Sequence, residues 1–416
     1  MREFLPVFVH LVLLLAACFV YHIEEGHGLQ VLFTIATAAL PIHYFLPFHW
    51  KKPLFVAISL AGLAAVFGGQ VAFVVLLVGA ALIGICYLPI NWLARVAMVA
   101  ALTGALALAR SQVLPVRVPG AVWPVLGALF MFRMIIFLYE LKHAHAREKL
   151  IDVLSYFFML PNYAFLLFPV VDYKTFLRGY FAADIHVTQR RGLAMMTRGL
   201  THLLLYRWVY HDVLISESSV HGPLSLVGHL VFNYLLYLRV SGQFHIACGM
   251  LHLFGFQLPD THHHYFLATG FTDYWRRINI YWKDFMVRIV FNPIVFRLKR
   301  RPQLLAVGIG TVAVFVTTWA LHAYQSFWLR GSWGFSVPDA LFWGILGFLV
   351  LINVVNDMRT ARRPRGRGLD RSPRALAVRG LKIVGTFTTL ALLWSLWYSP
   401  SLSAWLAMLR RGCGGA

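Results

Sequence analysis

The chain has 416 residues, 59% of them hydrophobic and 13% charged, with a mean hydropathy of +0.69 and a formal net charge of +21. So few charges over so much apolar surface exclude an ordinary soluble domain and predict an integral membrane protein. The surplus of Lys and Arg falls in short segments between apolar runs without interleaved aromatics, so the partner it serves is the membrane rather than nucleic acid.

Apolar runs near the roughly 20 residues that cross a bilayer fall at 4–22, 29–48, 53–69, 71–90, 93–109, 121–141, 151–171, 195–215, 224–242, 305–328, 338–356 and 381–399, predicting an all-α polytopic chain of about ten to twelve crossings. Leu15-Ala16-Ala17-Cys18 resembles a lipoprotein cleavage box, but the run continues through Phe19 and Val20, as an uncleaved first helix does. The four cysteines, Cys18, Cys86, Cys248 and Cys413, show no paired spacing, so neither a disulfide nor a zinc site is expected.

Loop charges give an orientation. Lys51, Lys52, Arg95 and the Lys142–Lys149 segment share one side if the runs alternate, with Glu24 and Glu25 opposite, which makes the amino terminus cytoplasmic. Arg110 and Arg117 break that pattern. Lys174, Arg178, Arg190 and Arg191 do not alternate after 151–171, so the central third is expected to hold re-entrant or interfacial helices. Met358–Lys382 carries eight Arg, one Lys and one Asp with interspersed Pro and Gly, and reads as a cytoplasmic loop near anionic headgroups. No repeat or soluble domain is visible, so residues 1–416 read as one multispan domain.

Thr272–Phe285, TDYWRRINIYWKDF, is dense in aromatic and cationic residues. A charge at membrane depth costs at least ~2.5–3.5 kcal/mol, so such residues persist where they face protein, water or a substrate. Trp275, Tyr281 and Trp282 can form an interfacial belt, and Arg276 and Arg277 can snorkel. Arginine forks also bind phosphates bidentately, and aromatic faces stack on adenine or sugars, which suits a phosphate-bearing acyl carrier. Asn279 is either a helix cap or a group that orients an imidazole or a carbonyl. His322 stands in the apolar run Leu304–Trp328, and is either a packing residue or a neutral base able to take a proton from a hydroxyl. Counted from Leu304 it lies about 27 Å along a straight helix, toward the outer half of the bilayer. Tyr324 and Gln325, beside it, join Trp275, Arg276, Arg277 and Tyr281 as candidate substrate-binding residues. His262, His263 and His264 point in divergent directions and read as a loop rather than a metal site. Ser216, Ser218, Ser219, His221 and Asp212 lack the GxSxG elbow of a hydrolase and read as a polar loop.

Gln243–Phe296, with LFGF followed by YWRRIN and an aromatic segment, resembles the signature region of the membrane-bound O-acyltransferases. Phe157–Phe176 is similar to that family's FPxxxxGPIxRYxxF element, with Val170-Val171 in place of Gly-Pro. TWALHAYQSFW matches the later helix that carries its histidine. The likeness covers about 150–357 and implies a helical bundle around a funnel or tunnel, with His322 as general base and Asn279 hydrogen-bonding the reacting groups. Asn279 falls where the bacterial polysaccharide branch has His and several lipid and protein branches have Asn. The resemblance implies acyl transfer from acyl-CoA or another thioester co-substrate, without a cofactor or metal, to a hydroxyl of a cell-surface glycan or glycolipid precursor, as in polysaccharide O-acetylation. A membrane-lipid alcohol is the alternative acceptor, and a transporter or flippase the non-enzymatic alternative. The implied setting is a bacterial inner membrane, with membrane lipid and a periplasmic enzyme among the partners.

Overall fold

A computed structural model describes residues 2–23, 26–142, 148–165, 171–360 and 372–414. Among them there is no strand, only an isolated bridge between Tyr180 and Phe256. Among the described residues nine helices are long and apolar enough to cross a membrane, and Phe4–Val20 adds a shorter apolar helix of 17 residues. The protein is an all-α, multi-pass membrane protein.

Local sequence sets the helix ends. Gly68, at φ +84, lets Phe48–Phe67 stop and Gly69–Tyr87 start with no further residue between them. Asn91 caps Trp92–Arg110 by accepting the Ala94 N–H at 2.8 Å. Ser372 does the same for Pro373–Tyr398, accepting the Ala375 N–H at 3.3 Å.

Three sequence expectations are corrected. The run 151–171 is no crossing: Leu150–Phe157 has eight residues, about 12 Å of helix. It stops at Phe158 (φ −107, ψ 53), and Pro161 opens a single 3-10 turn, Leu160–Tyr163. The run 195–215 begins in Ile185–Trp208, which has 24 residues but too many cations and polar side chains to count among the apolar helices, and continues through the π-helical turn Val209–Val213. The basic segment 358–382 is shorter as a loop than expected, because Val337–Thr360 and Pro373–Tyr398 absorb its ends. Its centre, 361–371, lies outside the described residues, as do Glu24, Glu25, 143–147 and Val170.

The chain divides into two compact units. The first comprises 1–204, 240–259 and 325–332. In it Phe4–Val20, Gly28–Phe45, Phe48–Phe67, Gly69–Tyr87 and Trp92–Arg110 each pack on the next. Lys52 pairs with Asp152 and stands 4.1 Å over the Tyr180 ring. Ile185–Trp208 and Leu238–Leu253 meet backbone to backbone at paired glycines: a Cβ on Gly199 would lie 2.7 Å from the Gly242 carbonyl oxygen, and one on Gly249 2.5 Å from that of Gly192. Small residues permit such approach where lipid offers no hydrophobic drive between helices.

The second unit comprises 205–239, 260–324 and 333–416. Pro223–Leu235 and Val337–Thr360 pack on Pro373–Tyr398, and Leu402–Gly412 packs on Pro223–Leu235. Arg411 ties that last helix down by donating to the carbonyls of Glu217 and Val220 at 3.0 and 3.3 Å. The short helix Phe271–Arg277 leans on Val337–Thr360, where Asn353 Oδ1 accepts the Phe271 N–H at 2.7 Å.

Candidate functional site

The segment 272–285 folds as two short helices, Phe271–Arg277 and Ile280–Met286, hinged at Ile278-Asn279. Asn279 is left-handed (φ 39, ψ 60), a conformation asparagine tolerates better than most residues. Its Oδ1 accepts the Trp282 N–H at 3.3 Å, so Asn279 is the cap of the second helix. The bend is pinned from outside, since Ile280 donates to the Thr261 carbonyl at 2.8 Å and His263 donates its backbone N–H to the Arg277 carbonyl at 2.9 Å.

The two arginines differ. Arg277 Nε donates to Asp273 Oδ1 at 2.7 Å, whereas Arg276 is exposed and pairs with no described residue. Burial alone would raise the Asp273 carboxyl, but the hydrogen bonds from Arg277 and Thr269 outweigh it and hold the group below the usual carboxylate range.

His322 sits in the 28-residue helix Gln303–Arg330, about 28 Å from its start. Its Nδ1 lies 2.9 Å from the Thr318 carbonyl oxygen one turn back. A carbonyl only accepts, so Nδ1 carries the hydrogen and, in the neutral ring, Nε2 holds the free lone pair. Nε2 makes no hydrogen bond among the described residues. Three indoles surround the imidazole: Trp343 with ring centroids 4.7 Å away, Trp282 at 5.4 Å and Trp397 at 6.2 Å. Trp282 links the two candidate catalytic residues. Its backbone N–H is held by Asn279, its indole N–H donates to Thr318 Oγ1 at 3.3 Å, and its ring meets His322 edge to face.

One residue here was not singled out from the sequence. Asp339, buried in the first turn of Val337–Thr360, accepts the indole N–H of Trp319 on Oδ2 and that of Trp397 on Oδ1, the latter at 2.7 Å. An acid at the start of an apolar helix reads equally well as a partner of the helix dipole, which is why composition did not mark it. Trp397 therefore touches both the carboxylate and the imidazole.

The remaining candidates are less tightly gathered. Trp275 packs on Phe315 with centroids 4.7 Å apart, Tyr281 is buried, and Tyr324 is half-buried. Gln325, also half-buried, falls in the stretch 325–332 of the first unit. In the His262–His264 loop, the Tyr237 hydroxyl and His262 Nε2 lie 2.9 Å apart, while His263 and His264 are exposed. No group of three or more His, Cys, Asp or Glu suited to a metal occurs among the described residues. The Ser216 hydroxyl bonds those of Ser218 and Ser219, and His221 gives its backbone N–H to Ser225.

Compared with known proteins, the chain matches no family model and no curated sequence.

Proposed function

We propose that this protein is a membrane-bound O-acyltransferase that moves an acyl group from a thioester such as acyl-CoA to a hydroxyl of a cell-surface glycan or glycolipid precursor. The observation that carries the reading is His322 itself: an imidazole inside an apolar helix, its Nδ1 held 2.9 Å from the Thr318 carbonyl oxygen so that, in the neutral ring, Nε2 is left to accept a proton. In the proposed step the acceptor oxygen attacks the thioester carbonyl while Nε2 takes the hydroxyl proton. The C–S bond then breaks, and the departing thiolate recovers that proton from Nε2.

The indoles of Trp282, Trp343 and Trp397 limit water around the ring, which favours the alcohol over hydrolysis. The Arg276 guanidinium, exposed and without a partner among the described residues, is suited to the donor's phosphates. The setting proposed is a bacterial inner membrane, and the cationic loops support an amino terminus in the cytoplasm, where acyl-CoA is present. The deciding experiment is thiol release from acyl-CoA by the chain in nanodiscs, with surface glycan, glycolipid or lipid alcohol added in turn. Acceptor-dependent release that His322→Ala abolishes supports the reading. Release that is absent with every acceptor, or unchanged in His322→Ala, overturns it.

A further inference from the structure

Arg110 and Arg117 break the alternation of cationic loops, and both line one cavity of about 740 Å³ in the first compact unit. Its walls come from the start of Gly69–Tyr87, the end of Trp92–Arg110 and the segment 112–119, with Trp123 beyond. Two arginines and two glutamines, Gln70 and Gln112, face it, and no acid among the described residues does. The Arg110 guanidinium lies 5.9 Å over the Trp123 ring, and at Gly331 (φ +83) a Cβ would come within 3.2 Å of it. Yet Arg110 Nε is buried without a hydrogen-bond partner, and neither arginine has an ion pair or hydrogen bond among the described residues. Topology does not account for them. Lys51, Lys52, Arg95 and Lys142 stand at the other ends of the same run of helices. A helix C-terminus accounts for one cation at 110, but not for Arg117 or for an acid-free cavity between them.

We propose that this cavity binds a phosphate-bearing anion, whether a lipid headgroup or a soluble organophosphate. The Arg110 and Arg117 forks would meet its oxygens, Gln70 and Gln112 would add amide donors, and Trp123 would form an apolar wall. The proposal is independent of acyl transfer, since none of its residues belongs to the His322 site.

The test is native mass spectrometry of the full chain with phosphatidylglycerol, phosphatidylcholine and inorganic pyrophosphate as probes. Wild type is expected to hold phosphatidylglycerol saturably and phosphatidylcholine more weakly. Arg110→Gln and Arg117→Gln should each weaken binding by about tenfold, the size of one charge-assisted hydrogen bond. Displacement of the lipid by pyrophosphate marks a site open to soluble phosphates, and retention marks a headgroup site; either supports the proposal. Arg117 is exposed in a connecting segment, so Arg117→Gln keeps the fold and decides alone if the Arg110 variant aggregates. Wild-type affinity of Arg117→Gln for both probes overturns the assignment, as does a wild-type chain that binds neither.

Discussion

The indole of Trp282 stands edge-on to the imidazole of His322, with centroids 5.4 Å apart and planes at 76°. Because Trp282 also donates to Thr318, whose carbonyl fixes the His322 tautomer, the ring and the base are placed by one residue between them. His322→Ala and His322→Gln should therefore lose about 10²–10⁴-fold in acyl transfer, the usual contribution of a general base. Trp282→Phe keeps the edge contact and should lose much less than Trp282→Ala. Thiol-release rates of the four variants, compared at equal folded fraction, check this ordering.

Asn279 caps a helix, so a drop in activity on mutation has a bland explanation to be set aside. Asn279→Asp keeps the oxygen that accepts the Trp282 N–H and removes the amide donor. It should melt like wild type yet turn over at least about tenfold more slowly, if the amide donates a hydrogen bond to the reacting carbonyl. Asn279→Ala should also lose about 1 kcal/mol of stability from the missing cap. Wild-type turnover in Asn279→Asp would leave the residue a cap and nothing more.

The arginines should separate in kinetics. Arg276→Lys is expected to raise the KM for acyl-CoA with acceptor constants unchanged, because the planar fork is lost while the charge stays. Arg277→Lys should leave the donor constant alone, since its partner is Asp273. Steady-state kinetics with each substrate varied in turn reads the difference.

Asp339→Asn replaces a carboxylate that accepts two indole N–H groups with an amide that offers only one oxygen. A hydrogen bond to a charged group contributes about 1.5–3 kcal/mol, so a lowered melting temperature is expected together with slower turnover. Trp397→Phe, which removes one donor and keeps the ring beside His322, should show a smaller fall in both.

The glycine seam gives a test independent of chemistry. Gly199→Ala puts a methyl 2.7 Å from the Gly242 carbonyl oxygen and 2.9 Å from the Ile246 nitrogen, backbone atoms that cannot step aside cheaply. Overpacking of this kind costs about 1–3 kcal/mol. Gly104→Ala, with nothing within 4 Å, should be neutral or stabilising by about 0.5–1 kcal/mol from helix propensity. Thermal melting of the two variants in one detergent compares them directly.

The long helices were legible because a crossing needs only length and apolarity. Gln303–Arg330 and Val337–Thr360 fall within a few residues of the runs read for them. Apolarity alone misled at 151–171, where Pro161 and the turn at Phe158 break the chain into pieces too short to cross. Ile185–Trp208 was caught only in its second half, by the run read at 195–215, because Gln189, Arg190 and Arg191 make its first half polar. In the site, the types and spacing of Asn279, Trp282 and His322 could be read, but not that Trp282 joins the other two. Asp339 was invisible because its two partners, Trp319 and Trp397, lie in different helices and 78 residues apart in sequence, one before it and one after.

Thr318 is used twice, its hydroxyl by Trp282 and its carbonyl by His322. Sliding Ile280–Met286 by one helical turn, about 5.4 Å, along Gln303–Arg330 would break the Trp282 contact and strip the imidazole of its neighbour together. The helix Ile280–Met286 is thus keyed to Gln303–Arg330 at a single residue. Trp397 is tied back to that same helix through Asp339 and Trp319, so two of the three indoles around the imidazole are coupled by hydrogen bonds to the helix that carries it.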